Sequence, residues 1–309
     1  MKKNLLILGM MACSLTMLGQ EKENTNNENW YFKLGGSYFL QTAATEFPVV
    51  SGSLPNTDVF GADGTTLVSR KTNTGSFGEG FRSSLTAGYR FSTRLGVEMG
   101  VNFFKSSTKT MVDTKNKLVA PGPVFVSGTA VGQITALDLA PAVVLFLGES
   151  KGFEPYTKVG VIVPVVGNLT IETNRSYTTP VGVVTAYAKE KVLPNPTIGF
   201  MAVVGTSYKL GKNISVFGEL EYRNFTVHGK SKETEVYTEN GVDKLNATTS
   251  FRDGSYAENH VNYVEQITAS SNNKLTNKAG YDRSKASDDV SSYVGISGLG
   301  LTLGLKYSL

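Results

Sequence analysis

The sequence predicts an all-β protein: an antiparallel, up-and-down β-barrel that crosses a membrane with its strands. Three observations predict it. Two-residue alternation of apolar and polar side chains recurs along the chain, very short connections alternate with very long ones, and aromatic residues gather at both strand ends while charges keep to one face.

Residues 81–104 set the pattern. Phe81, Ser83, Leu85, Ala87, Tyr89 and Phe91 alternate with Arg82, Ser84, Thr86, Gly88 and Arg90. After the polar turn Ser92-Thr93-Arg94, Leu95, Val97, Met99, Val101 and Phe103 alternate with Gly96, Glu98, Gly100, Asn102 and Phe104. A period of two is a strand with one face in apolar surroundings and the other among polar groups.

Residues 1–20 are expected to be a cleaved signal peptide. Met1-Lys2-Lys3 is a basic start, residues 5–18 are apolar, and the chain turns polar at Glu21-Lys22-Glu23-Asn24. The apolar run is too short for a membrane helix. Cys13, the single cysteine, lies inside it, so the remaining chain offers no thiol for a disulfide or a metal. Residues 21–29 read as a short polar periplasmic lead, and 30–309 as the barrel. Losing residues 1–20 removes two lysines and no acid, so 30 basic residues become 28 against 26 acidic ones, a net of +2. That balance argues against a nucleic-acid partner. No later apolar run reaches helical spanning length, so a membrane form must be a closed sheet.

Eight strands follow in order. The first, residues 30–41, puts Trp30, Phe32, Leu34, Tyr38 and Leu40 opposite Tyr31, Lys33, Ser37, Phe39 and Gln41. Residues 81–91 and 95–104 are the second and third. The fourth and fifth, 134–146 and 153–165, are apolar on both faces in their middles, so length and β-branched content identify them. The sixth and seventh, 197–209 and 214–225, flank Gly211-Lys212-Asn213, and the eighth ends the chain as Leu299, Leu301, Leu303, Leu305 and Tyr307 interleaved with Gly300, Thr302, Gly304 and Lys306. The connections at 92–94, 148–152 and 211–213 are short. Those at about 42–80, 105–132, 166–194 and 227–294 are long and polar, with hairpin tips expected at Pro180-Val181-Gly182 and Glu239-Asn240-Gly241. Short periplasmic turns and long extracellular loops are the habit of transmembrane barrels.

Trp30, Tyr89, Phe91, Phe153, Tyr208 and Tyr307 fall at inner strand ends, and Phe39, Phe81, Phe103, Tyr222 and Phe225 at outer ends. Two such girdles suit rings that straddle apolar and wet zones. Lys33, Arg82, Arg90, Glu98, Glu219, Glu221, Arg223 and Lys306 all lie off the apolar face, and Asp138 and Lys158 are placed with them. A soluble sandwich would also sort its charges by face, yet it explains neither the loop asymmetry nor the girdles.

With its signal peptide, the strand start Pro155-Tyr156…Gly160 and the closing repeat of residues 299–309, the chain resembles the eight-stranded outer-membrane barrels that include the OmpA transmembrane domain and OmpX-like proteins. The resemblance spans about residues 30–309. It implies an outer-membrane location, contact with lipid and lipopolysaccharide, insertion machinery that reads the C-terminal strand, and a non-enzymatic surface or adhesive role through the outer loops toward an extracellular ligand. No peptidoglycan-binding domain is expected after the barrel, so that part of the OmpA role is not carried over. Two departures stand out: Leu309 ends the chain where such barrels end in an aromatic residue, and the long loops leave ten or twelve strands open.

No catalytic, cofactor or metal residues are expected. His228-Gly229-Lys230-Ser231 invites a lipid-acting histidine–serine pair, but residues three apart in a strand point to opposite faces. The same segment is no phosphate loop, because the required first glycine is Asn224. Asp58, Asp63-Gly64 and Asp288-Asp289 lack a calcium-loop pattern. The lumen charges have two readings: paired plugs in a narrow barrel, or the lining of a small porin-like channel for solutes. Eight strands leave room only for side chains, which favours plugs, as do bulky Phe104, Met201 and Phe217.

Overall fold

A computed structural model describes residues 30–120, 123–195 and 197–309. The expected signal peptide and polar lead lie outside the described residues. Among the described residues the architecture is all-β and mostly antiparallel, with one four-residue helix at Tyr256–Asn259.

Eight long strands organise it: β1 Trp30–Gln41, β2 Gly80–Arg90, β3 Leu95–Ser106, β4 Val124–Phe146, β5 Phe153–Thr179, β6 Gly199–Lys209, β7 Ile214–Asn224 and β8 Gly298–Ser308. Each pairs antiparallel with its chain neighbour among the eight, and β8 pairs with β1. The pairings therefore close into a ring. Following directly opposed residues from Leu40 through Leu299, Tyr222, Ala202, Val159, Val143, Val97 and Tyr89 returns to β1 at Trp30, ten residues lower. With a rise of ~3.3 Å and a strand spacing of ~4.8 Å, that offset over eight strands corresponds to a tilt of about 40°.

The three short turns and the C-terminus gather at one end. Leu309 N–H donates to Trp30 O, Phe146 N–H to Arg94 O, Lys209 N–H to Gly152 O and Ser308 N–H to Asn213 O. Lys151 and Gly152 both adopt positive φ, which lets two residues reverse the chain between Ser150 and Phe153.

Side chains alternate inside and outside along the ring strands, with a switch of parity in β5 at Val165. In β1, residues 31, 33, 35, 37 and 39 are buried inside while 30, 32, 34, 36, 38 and 40 are exposed outside. The seven aromatics Trp30, Tyr89, Phe91, Phe103, Tyr208, Tyr222 and Tyr307 all lie on the outward side, and Trp30–Tyr89 and Phe153–Tyr208 pack with ring centroids 5.0 and 4.6 Å apart. Phe39 and Phe225, expected among the outer aromatics, instead point inward and are buried. Phe39 lies over the Arg82 guanidinium at 4.7 Å, so it fills lumen rather than marking an interface.

The long connections also differ from open polar loops. β4 and β5 run on well past the ring. The front of β4 pairs with a strand at Lys109–Ala120, and the end of β5 pairs with Gly182–Asn195 across the tip at Pro180-Val181. Thr226–Glu239 pairs in turn with Gly182–Asn195 and turns at Asn240-Gly241, both at positive φ. This β-structured head has its own apolar core: Phe47, Phe77, Met111, Val112 and Ile296 are buried in one cluster with Phe104, Ile162 and Met201 of the ring. Alternation within these polar stretches supplies the buried faces, which composition alone hides.

Close packing at β7–β8 gives a direct test. A Cβ on Gly304 would sit 2.1 Å from Leu34 O and 2.7 Å from the Phe217 ring, whereas one on outward Gly218 meets only Leu303 Cδ2 at 3.5 Å. Gly304→Ala is expected to destabilise the fold by about 1–3 kcal/mol, and Gly218→Ala to leave it nearly unchanged. Urea unfolding midpoints of the two variants check this.

Candidate functional site

The ring encloses three layers of charge. The middle layer takes one residue from each of four alternate strands: Lys33 on β1, Glu98 on β3, Lys158 on β5 and Glu219 on β7. Lys33 Nζ lies 2.9 Å from Glu98 Oε1 and 2.7 Å from Glu219 Oε1; Lys158 Nζ lies 2.9 Å from Glu98 Oε2 and 3.0 Å from Glu219 Oε1. Tyr31 donates its hydroxyl to Glu98 at 3.0 Å and Tyr156 donates to Glu219 at 2.8 Å. Two cations face two anions, and every carboxylate is bonded from more than one side.

Toward the head, Arg82 grips Glu221 through both terminal nitrogens at 2.6 Å and reaches Ser37 and Thr302 at 3.2 Å. Arg223 donates to Asp138 at 2.7 Å and lies 3.5 Å from Glu221, while Asn102 donates to the other Asp138 oxygen at 2.8 Å. Toward the short turns, Glu154 receives Arg90 at 2.6 Å and Lys306 at 3.3 Å. The Arg90 guanidinium covers the Phe146 ring at 4.1 Å and also donates to Ser92 O and Thr93 O, tying the first short turn to the lumen.

Of the charges expected off the apolar face, Lys33, Glu98, Glu219 and Lys158 meet in the middle layer, Arg82, Glu221, Arg223 and Asp138 in the next, and Arg90 and Lys306 in the third. Sequence reasoning missed Glu154, Tyr31 and Tyr156 as members. For Glu154 a partial signal was available, since it shares its parity in the strand with Lys158.

Little space remains. The cavity among the middle and head-side layers holds about 20 Å³, room for about one water. Phe39 lies against Arg82 and Met201 lines the same cavity as the charges, while Phe104, Ile162 and Met201 are buried in the apolar cluster that continues into the head.

The residues considered for other chemistry are dispersed. His228 Nδ1 lies 3.4 Å from Ser291 Oγ, and Ser291 also donates to Gly229 O at 3.0 Å. The His228 ring packs on Tyr293, with centroids 5.3 Å apart. Asp58 is clamped by Arg70, Asp63 accepts from the backbone of Thr65 and Thr66, and Asp288 accepts from Asn272 N–H. Among the described residues no group of three His, Cys, Asp or Glu side chains could hold a metal ion.

No family model and no curated protein matches the chain. Among solved structures, the chain is similar to the outer membrane protein OprG from Pseudomonas aeruginosa, at 11% identity over 91% of this chain and 95% of that one with a TM-score of 0.39. It is similar to Neisserial surface protein A at 10% identity, 91% and 97% coverage and a TM-score of 0.30. The outer membrane protease OmpT from Escherichia coli follows at 10% identity, 94% and 99% coverage and a TM-score of 0.27. These are outer-membrane proteins; at such scores the likeness says nothing of what this chain does.

The middle layer carries a clear expectation. Lys158→Met leaves Glu98 and Glu219 sharing Lys33 alone, and removing one partner of a buried pair costs about 3–5 kcal/mol. Adding Glu98→Gln to Lys158→Met removes the stranded charge and is expected to recover part of that loss, as a double-mutant cycle in urea checks.

Proposed function

We propose that the ring is an eight-stranded transmembrane barrel of the bacterial outer membrane, and that the protein is a non-enzymatic platform holding its β-structured head outside the cell for contact with other surfaces or ligands. The observation that carries the reading is the sealed lumen. Three paired charge layers and an apolar lid fill the interior of the ring, so its wall serves to anchor rather than to conduct.

Several features support the membrane part. The outward face is apolar along every ring strand, with Leu34, Leu85, Val101, Val204, Leu220 and Leu303 all exposed there, and its aromatics sit toward the strand ends as interface anchors do. Where Phe153–Ile162 and the neighbouring strands pair, the ring closes without a free sheet edge, which lipid demands. Among the described residues no helix is long and apolar enough to cross a membrane. In this reading residues 1–20 direct export, the outward face meets lipid and lipopolysaccharide, and β8 is the strand read by insertion machinery. The non-enzymatic part rests on the scattered histidines and serines described above.

The purified chain from the outer-membrane fraction is expected to migrate faster on detergent gels before boiling than after, because a closed barrel resists unfolding until heated. In planar bilayers it is expected to give no steady single-channel conductance; reproducible conductance steps would replace the platform with a narrow channel. A soluble periplasmic protein without a heat-dependent shift would overturn both.

Outward charge tests depth. Leu220→Arg is expected to cost about 2–4 kcal/mol in lipid vesicles, while Leu54→Arg, on an exposed connection, changes the unfolding midpoint little.

A further inference from the structure

The outward wall of the ring is hollowed over β1 to β5 by an open groove of about 550 Å³. One row of directly opposed residues, Trp30, Tyr89, Val97, Val143 and Val159, crosses all five strands. The row above it holds Ala87, Met99 and Pro141. Ala87 and Pro141 project less than Leu85 and Leu139 one row higher, so the wall sinks on either side of Met99. Leu95 and Leu145, opposed to each other, stand in the row below.

Two of the short turns lie under this groove. Residues 92–94 join its second and third strands, residues 148–152 join its fourth and fifth, and the hydrogen bond from Phe146 N–H to Arg94 O sets the two turns side by side. Each turn presents a cation, Arg94 in the first and Lys151 in the second. Both are exposed and make no ion pair among the described residues, while Glu149, the acid of the second turn, is bound by Lys209 at 2.8 Å. Arg94 stands three residues before Val97, about 10 Å along the strand. An apolar groove thus ends at a pair of positive charges.

We propose that the groove seats an acyl chain of one anionic phospholipid, with the phosphodiester of that lipid held between Arg94 and Lys151. A phosphodiester accepts charge-assisted hydrogen bonds from a guanidinium and from an ammonium alike. An acyl chain gains dispersion contacts along its flanks in the hollow that it lacks against a ridge of leucines. A second copy seated on the same face would bring its own Arg94 and Lys151 to this rim, like charge against like. The proposal rests on the outer-membrane reading, which puts the groove in the periplasmic leaflet; it goes beyond that reading in assigning a lipid class and its site.

Trp30, the single tryptophan of the chain, borders the groove and reports its occupant. The full chain is placed in phosphatidylcholine vesicles that contain a minor fraction of lipid brominated midway along its acyl chains. Brominated phosphatidylglycerol is expected to quench Trp30 more than an equal fraction of brominated phosphatidylcholine. Lys151 has positive φ, which asparagine tolerates, so Lys151→Asn joined to Arg94→Gln removes both charges without straining the turn. That double variant is expected to weaken the apparent affinity for phosphatidylglycerol about fivefold, the scale of two exposed ion pairs. Ala87→Leu raises the floor of the groove and is expected to reduce quenching by brominated phosphatidylglycerol while leaving that by brominated phosphatidylcholine unchanged. Equal quenching by the two lipids, or a preference that survives either variant, overturns the proposal. Shielding of Trp30 from both lipids together with a dimeric mass overturns it in favour of a second copy. The heat-dependent gel shift of the same preparations separates these failures from failure of the barrel itself.

Discussion

A ten-residue offset closes the ring, and most of the structure follows from it. With eight strands at that stagger the interior is just wide enough for side chains to meet across it. Whatever points inward must therefore pack or pair. Small residues are obligatory wherever a ring or backbone crowds the wall: a Cβ on Gly88 would lie 2.2 Å from the Tyr31 ring, and one on Gly300 2.5 Å from Phe39. The charges face the same demand in electrostatic form, since the cavity among them holds only about 20 Å³.

The middle layer shows how that demand is met. Lys33, Glu98, Lys158 and Glu219 come from β1, β3, β5 and β7, so their bonds run across the lumen rather than along one ladder. A one-residue slip of any of these strands would swing its charge to the apolar outside. Apolar side chains of equal volume can match or exceed buried ion pairs in stability. What they cannot do is penalise the wrong register so heavily. Cross-lumen pairing thus ties strand order, register and closure together, and Arg82 with Glu221 repeats the device one layer higher.

Legibility in the sequence followed the contrast between the two faces. β1, β2, β3, β7 and β8 carry polar or glycine residues inside and apolar ones outside, so period two exposes both. In β4 the inward residues Ala140, Ala142 and Val144 are as apolar as outward Val143 and Leu145, and the pattern fades. Tyr156, buried inside β5, blurs that strand in the same way, which is why Glu154 escaped notice. Aromatics mislead for a related reason: Phe39 and Phe225 at strand ends look like interface anchors, but a narrow lumen also needs large rings to fill it. The head was the least legible part. Phe47, Phe77 and Met111 are isolated apolar residues in polar stretches, and only non-local contacts gather them into a core.

The bulge at Pro164-Val165-Val166 joins these two regions. Below it, the even residues Glu154, Tyr156, Lys158 and Ile162 face inward; above it, the odd residues Leu169, Ile171 and Thr173 do. One extra residue re-aims the whole upper strand. Without it, Leu169 and Ile171 would face away from Ile134 and Gly132, their partners on β4, and the head core would be cut off from the lumen lid. Continuity of the core from the lumen to the head thus follows from a single inserted valine.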